Sequence, residues 1–365
     1  MASVITLYFV PMAQRKARNI IMISRKIRVL VVDNSKMFRE VLVRGISRDA
    51  GIEVVGVATN AYTARNKIIE LQPDVLTLDI EMPIIIGVEF LRQIIPQYHM
   101  PVVVVSGVNE AIFDALNAGA VDFVNKPDVS RDDTMDIFIN EMIIKIKIAS
   151  TAKIGQKKDI QRGSHVSNSN IKGNDIIIAI GASTGGTEAT LEVIKNLPED
   201  IPAIVVVQHM PPVFTKLYAD RLNNECKIGV KEAADGDRLK QGNALMAPGG
   251  FQLKVLKDAN GYFVKIYEGE KVNGHAPSVD VMFNSVADAA KGSAVGVILT
   301  GMGNDGAKGM LKMHDNGAFT IGQDEKSCVV YGMPMVAFNL GAVDMQCCLT
   351  SISDQILQAI KSRSN

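Results

Sequence analysis

The sequence predicts an α/β protein of two units: a five-stranded parallel sheet, then a second doubly wound α/β domain carrying an antiparallel hairpin excursion. Three observations predict it. Short apolar runs alternate with amphipathic, helix-like stretches from Lys26 to about residue 148, and again from residue 174. Between these blocks, residues 149–173 lose the rhythm and fill with Ser, Asn, Lys and Gly, as a flexible polar linker does. Finally, 365 residues at 47% hydrophobic content suffice for two ordinary cores.

The totals remove several classes. Lys plus Arg and Asp plus Glu both number 39, so no global basic surplus draws the chain to nucleic acid or an anionic membrane. No apolar run approaches the roughly 18 to 20 residues that span a bilayer, so no membrane insertion is expected. The cysteines Cys226, Cys328, Cys347 and Cys348 show neither zinc-site spacing nor a disulfide framework, which fits a reducing cytoplasm. Residues 1–24 contain the apolar ITLYFVPM, but Arg15, Lys16 and Arg18 follow it, the reverse of a signal peptide's order. They are expected to form an extension outside the fold, with Met12 and Met22 as alternative starts.

In residues 25–148 the strands expected in order are KIRVLVV, EVVGVA, DVLTLD, PVVVVS and DFVNKP. Functional groups gather at the carboxyl ends of such strands, and there stand Asp33, Asp79, Ser106 and Lys126. Two carboxylates at adjacent strand ends are costly unless something cationic lies between them, and Mg²⁺ takes oxygen ligands of this kind. A lysine and a hydroxyl beside them would suit the oxygens of a phosphoryl group. The plainer alternative is a pair of aspartates that only cap helices. Together VVDNS, LDIEMP, VVVVSG and FVNKP resemble the response-regulator receiver family, whose sheet is flavodoxin-like. The resemblance implies that Asp79 accepts a phosphoryl group, that Asp33, Asp79 and the main chain of Glu81 bind Mg²⁺, and that Ser106 and Lys126 sense the phosphoryl group. Two positions depart from that family: Asn34 stands where a second acid is usual, and Ile86 where an Asp precedes glycine. Losing a negative charge at Asn34 should weaken Mg²⁺ binding.

In residues 174–365 the apolar DIIIAI, AIVVVQ and AVGVILT read as buried parallel strands, while NALMAPGG and FQLKVLKDANGYFVKIYEG read as antiparallel ones with a turn at Ala259-Asn260-Gly261. After the first strand comes IGASTGGTE. A dinucleotide site would need G-x-G-x-x-G and an acid after the next strand, but Ser183 takes the second glycine's place and AIVVVQ ends in Gln208 and His209. A Walker loop is excluded, because no Lys-Ser or Lys-Thr follows. Gly181-Ala182-Ser183-Thr184-Gly185 does fit G-x-S-x-G, a strained turn that exposes a serine hydroxyl at a helix amino terminus.

A serine nucleophile needs a base and a group that orients the base. Of five histidines, His99 falls in a loop of the first unit, His165 in the linker and His314 in a helical stretch. His209 ends a buried strand at the edge expected for Ser183, and is preferred over His275 in the polar VNGHAPSVD. The loop GMGNDG after AVGVILT supplies Asp305. Three parallel strands thus deliver Ser183, His209 and Asp305 to one rim, in an order unlike that of α/β-hydrolases.

IGASTGGTEA, VVQHMPPVFT, APSVDVMF and ILTGMGNDGAKGM behind a receiver resemble the chemotaxis protein-glutamate methylesterase (CheB) family. The resemblance implies hydrolysis of glutamate γ-methyl esters on cytoplasmic helices of chemoreceptors, deamidation of receptor glutamines, a chemotaxis histidine kinase as phosphodonor, and a receiver that covers the serine site until phosphorylated. The free N–H groups that open the helix after Ser183, at Thr184, suit the oxygen of a tetrahedral intermediate, and the resemblance implies the loop at Met302 as a second donor region. Ester hydrolysis itself needs no cofactor, and a cytoplasmic monomer is expected. The rival readings are a receiver joined to a DNA-binding module and an inactive scaffold. The first lacks a helix-turn-helix pattern and a basic stripe; the intact Ser183, His209 and Asp305 weigh against the second.

Overall fold

The computed structural model describes residues 25–82, 87–107, 109–127, 132–154 and 175–363. The expected extension 1–24, most of the expected linker with His165, and Ile86 lie outside the described residues. In the N-terminal unit β1 (Ile27–Val32), α1 (Lys36–Ile46), β2 (Ile52–Ala58), α2 (Ala61–Leu71), β3 (Val75–Asp79), α3 (Gly87–Tyr98), β4 (Val102–Ser106), α4 (Asn109–Asn117), β5 (Asp122–Asn125) and α5 (Asp132–Ala149) alternate along the chain. The strands pair in parallel in the order β2-β1-β3-β4-β5. Strands covered on both faces must be apolar throughout, and Val29, Leu30, Val31 and Val32 are at most 1% exposed. Each such side chain stabilises the fold by about 1.5–3 kcal/mol. Winding reverses between β1 and β3, so the crevice there opens beside Asp33 and Asp79.

The C-terminal unit runs β6 (Ile177–Ala182), α6 (Gly186–Lys195), β7 (Ala203–Gln208), α7 (Phe214–Glu225), β8 (Gly229–Glu232), β9 (Asn243–Met246), β10 (Gln252–Asp258), β11 (Gly261–Tyr267), α8 (Val279–Ala290), β12 (Ala294–Ile298), α9 (Ala307–Asp315), β13 (Phe319–Gln323), α10 (Met333–Asn339), β14 (Met345–Cys347) and α11 (Ile352–Arg363). Seven strands form one parallel sheet, β14-β13-β12-β6-β7-β9-β8, and β10 pairs with β11 as a separate antiparallel hairpin. This corrects the reading of NALM: β9 pairs in parallel with both β7 and β8. A short apolar run states that it is buried but not which way its neighbours run. The hairpin is as expected, and it packs on α8, where Val255 N–H donates to Ser285 Oγ at 2.9 Å. Winding reverses between β6 and β12, which sets the second crevice at their carboxyl ends.

The two units meet through α4 and β5. Phe113 stacks on Tyr218 with ring centroids 5.8 Å apart, and Phe123 tilts against Phe214 at 4.8 Å; aromatic pairs of this kind contribute about 0.5–1.5 kcal/mol each beyond area burial. One apolar cluster therefore runs without a break from the first sheet to the second. Among the described residues no helix is long and apolar enough to cross a membrane.

Candidate active site

β6 ends at Ala182, and the chain turns through Ser183, Thr184 and Gly185 into α6. Gly185 has φ 75°, in the left-handed region that glycine adopts without a Cβ penalty. The Ser183 main chain is held on all sides: its N–H donates to the Thr300 carbonyl at 3.0 Å, and its carbonyl accepts from Gly186 N–H at 2.7 Å and Gln208 Nε2 at 2.8 Å. Gly301 crosses so close that a Cβ there would stand 2.7 Å from Ser183 Cβ. The loop containing Met302, which is 46% exposed, thus lies against the serine.

His209 follows β7, the neighbour of β6, and its N–H donates to the Ala182 carbonyl at 3.1 Å. Its Nε2 lies 2.8 Å from Asp305 Oδ2, and its side chain is 6% exposed. Nδ1 is buried with no hydrogen-bond partner. An ionised carboxylate only accepts, so Nε2 carries the hydrogen and Nδ1 is left with its lone pair.

Asp305 follows β12 and is 1% exposed. Its Oδ1 accepts from Asn273 Nδ2 and Ser278 Oγ at 2.7 Å and from Asp280 N–H at 3.2 Å, while Oδ2 accepts from Val279 N–H at 2.7 Å as well as from His209. Ser278 caps α8, so the carboxylate sits at the amino end of that helix, where the dipole favours negative charge. Burial pushes its carboxyl up, but the bonds from His209, Asn273 and Ser278 outweigh burial and hold it well below the usual carboxylate range.

Ser183, Thr184 and His209 line one cavity of about 10 Å³, closed on its other side by Leu116, Val121, Asp122 and Phe123 of the N-terminal unit. Across that closure Asp122 Oδ2 accepts from Thr184 Oγ1 at 2.7 Å, and Lys145 Nζ holds Asp122 Oδ1 at 2.6 Å. About 10 Å³ admits at most one water. The N-terminal unit thus stands directly against the turn that carries Ser183, which keeps partial exposure.

In the first crevice Lys126 Nζ lies 2.8 Å from Asp79 Oδ2 and 3.4 Å from Asp33 Oδ2. Asp79 Oδ1 accepts from Glu81 N–H at 3.0 Å, and Ser106 Oγ donates to Glu81 Oε1 at 3.0 Å. Burial depresses the Lys126 ammonium, but Asp79 more than offsets this and the pKa rises. Asp33 Oδ2 is buried without a hydrogen bond, and burial followed by the Asp79 charge raises its pKa. A cation taking oxygens from both carboxylates would relieve both effects, so the donor set fits a hard divalent ion. Among the described residues no group of three or more His, Cys, Asp or Glu is arranged to hold a metal. Asn34 is exposed.

Sequence reasoning missed Asn273, Ser278 and Asp280 around Asp305, Gln208 and Thr300 behind Ser183, and Asp122 on the far wall. The stretch VNGHAPSVD held a signal for Ser278, since a serine ahead of an apolar run reads as a helix cap. It also holds His275, whose ring stacks on that of His209.

Two family models match the chain: the response regulator receiver domain over residues 29–137 and the CheB methylesterase over residues 178–356. A protein-glutamate methylesterase/protein-glutamine glutaminase 2 from Syntrophomonas wolfei subsp. wolfei is 53% identical over 336 residues, 92% of this chain and 98% of the relative. Enzymes named protein-glutamate methylesterase/protein-glutamine glutaminase are 47% identical in Syntrophotalea carbinolica (93% of this chain, 99% of the relative) and 45% identical in Escherichia coli K12 (92% and 98%).

Proposed function

The chain belongs to the protein-glutamate methylesterase/protein-glutamine glutaminase family of receiver-linked CheB enzymes, and from that premise we propose that Ser183, His209 and Asp305 are its catalytic residues. The enzyme hydrolyses protein glutamate methyl esters to glutamate and methanol and deamidates protein glutamines in chemotaxis, under control of its receiver. We assign residues 25–148 to the receiver, 149–173 to the linker and 174–365 to the catalytic domain. The substrates are methylated cytoplasmic helices of chemoreceptors, and the phosphodonor is a chemotaxis histidine kinase.

The observation that carries the catalytic assignment is His209 itself: Asp305 holds its Nε2, its Nδ1 is buried without a hydrogen-bond partner, and the residue lines one cavity together with Ser183. Ser183 Oγ attacks the ester carbonyl and its proton passes to Nδ1, a transfer worth about 10²- to 10⁴-fold. Asp305 stays ionised and stabilises the imidazolium. Main-chain N–H groups at Thr184 and Met302 steady the oxygen of the tetrahedral intermediate. His209 returns the proton to the departing methoxide, giving methanol, or to the departing amide nitrogen of a glutamine, giving ammonia; it then draws a proton from the attacking water and passes it to Ser183 Oγ as the glutamate is freed.

Regulation runs along β5. Its first residue, Asp122, holds Thr184, and Lys126 just past its end holds Asp79, the phosphoacceptor. A phosphoryl group on Asp79 adds charge that Lys126 and Ser106 must accommodate, which biases the interface that β5 forms. Asp33, Asp79 and the Glu81 main chain would hold Mg²⁺, which when bound offsets negative charge during phosphoryl transfer. With Asn34 in place of an acid the pocket attracts the ion less. Asn34→Asp should therefore raise the rate of phosphorylation by a small phosphodonor most at low Mg²⁺; equal rates for both proteins at every Mg²⁺ concentration would refute this.

The test of the whole reading is methanol released from methylated receptor membranes by the full chain. Release should rise with a phosphodonor, and Asp122→Ala should raise it about 5- to 150-fold without one, the range of a 1–3 kcal/mol coupling. No methanol under any of these conditions ends the esterase reading. A basal rate unchanged by Asp122→Ala removes Asp122 from the closure.

A further inference from the structure

The loop between β11 and α8 lays a second imidazole on the first. The rings of His209 and His275 lie 3.6 Å apart between centroids and 7° from parallel. The triad's proton transfers make no use of His275, yet its loop is built to hold it. His275 N–H donates to the Val272 carbonyl at 2.9 Å and the His275 carbonyl accepts from Val272 N–H at 3.0 Å. That carbonyl also accepts from Gln252 Nε2 at 3.0 Å. Inside the same turn Asn273, at φ 54°, donates to Asp305 and to Asp280. One tight turn thus fixes both the carboxylate at the edge of His209 and the ring on its face.

We propose that His275 is a positioning residue for His209, a neutral ring that clamps the imidazole in the plane where Nε2 meets Asp305 and Nδ1 is kept for Ser183. This rests on the triad reading given above. The torsion that turns a histidine ring is soft and roughly two-fold, so one hydrogen bond at Nε2 fixes a point of the ring and leaves its plane free. A second ring stacked on the face removes that freedom. The clamp must be uncharged, because His209 becomes cationic in every turnover and a like charge 3.6 Å away would oppose it. Burial first, then His209, lower His275 to about 4; Lys145 and Lys271 add to the depression and Asp305 opposes it. His275 is therefore neutral at neutral pH.

The experiment measures methanol release from methylated receptor membranes by full-length variants across pH, each relative to wild type so that the receiver's own pH dependence cancels. His275→Ala should lower kcat about 10- to 100-fold, the loss expected of a misplaced base, with KM nearly unchanged. His275→Phe keeps a ring and should restore most of that loss. His275→Lys puts a fixed cation on the same face and should move the acid limb of kcat/KM down by about one pH unit. A residue that only fills space would not move it. Wild-type kcat in the Ala variant, or an unmoved limb in the Lys variant, overturns the proposal; thermal melts identify a variant that fails to fold, and the Phe and Lys variants then decide. Ser183→Ala run alongside separates the two readings: activity there defeats the triad itself, whereas an inactive Ser183→Ala beside an unaffected His275→Ala defeats only the clamp.

Discussion

Replacing Ser183 with alanine should lower methanol release about 10⁴-fold or more while leaving the fold intact. The size follows from the division of labour at the turn. The Ser183 main chain carries the structural bonds, to Thr300, Gly186 and Gln208, and an alanine keeps every one of them. Its Cβ also keeps the packing against Gly301. The hydroxyl alone is lost, and on a part-exposed serine whose structural bonds all run through the main chain this is worth about 0.5 kcal/mol or less to stability. A thermal melt coinciding with that of wild type, beside the collapse in rate, would therefore isolate the nucleophile from the scaffold. Membranes bearing receptor glutamines should show the same loss in ammonia release, since both reactions pass through one acyl-enzyme. Equal methanol release by the two proteins would mean that another group attacks the ester, and Ser183 would revert to a turn residue.

How much of this was legible before the structure depends on where each residue's constraint comes from. The strands β1, β3, β4, β6, β7 and β12 are short runs of Val, Ile and Leu buried on both faces, and burial on both faces writes itself into composition. The edge strands of the second sheet carry no such mark: β8 is GVKE and β14 is MQC, each with one neighbour in the sheet. β13, FTIGQ, is more buried but is broken by glycine, whose lack of a side chain lets Val343 pack against it. The orientation of β9 was misread for a related reason, because strand direction is decided by a partner far along the chain.

The site divides the same way. Ser183 and His209 each stand just past a buried strand, and Asp305 lies in the loop that follows another, so the winding rule brings all three loops to one rim. Asp122 and His275 have no such address. Asp122 acquires its meaning from the packing of β5 on the second unit, and His275 from a turn closed by Val272, Gln252 and Asn273, contacts that local periodicity does not encode.

Asp305→Asn should cost about 10⁴-fold in turnover, and unlike Ser183→Ala it should also weaken the fold. The carboxylate is an acceptor for Asn273, Ser278, Val279, Asp280 and His209 and has no donor role at all. An amide in its place supplies one acceptor oxygen and turns an NH₂ group toward groups that also donate. If the oxygen stays with Ser278 and Asn273, the NH₂ faces His209 Nε2 and demands a lone pair there. The hydrogen then moves to Nδ1, and the ring can no longer take the Ser183 proton. If the amide flips to keep His209, the amino end of α8 and Ser278 lose their acceptor, and a buried donor left unpaired costs about 1–3 kcal/mol. Either arrangement fails in one of its two tasks. The pH dependence of stability gives a second reading. Because the folded-state pKa of Asp305 lies below its unfolded value, its contribution is present above the ordinary carboxylate range, near pH 4, and is lost as pH falls toward the folded value. The Asn variant should accordingly be less stable than wild type at neutral pH, with the gap narrowing on acidification. Turnover within tenfold of wild type would show that the carboxylate does not set the tautomer of His209, and with it the acid would drop out of the mechanism.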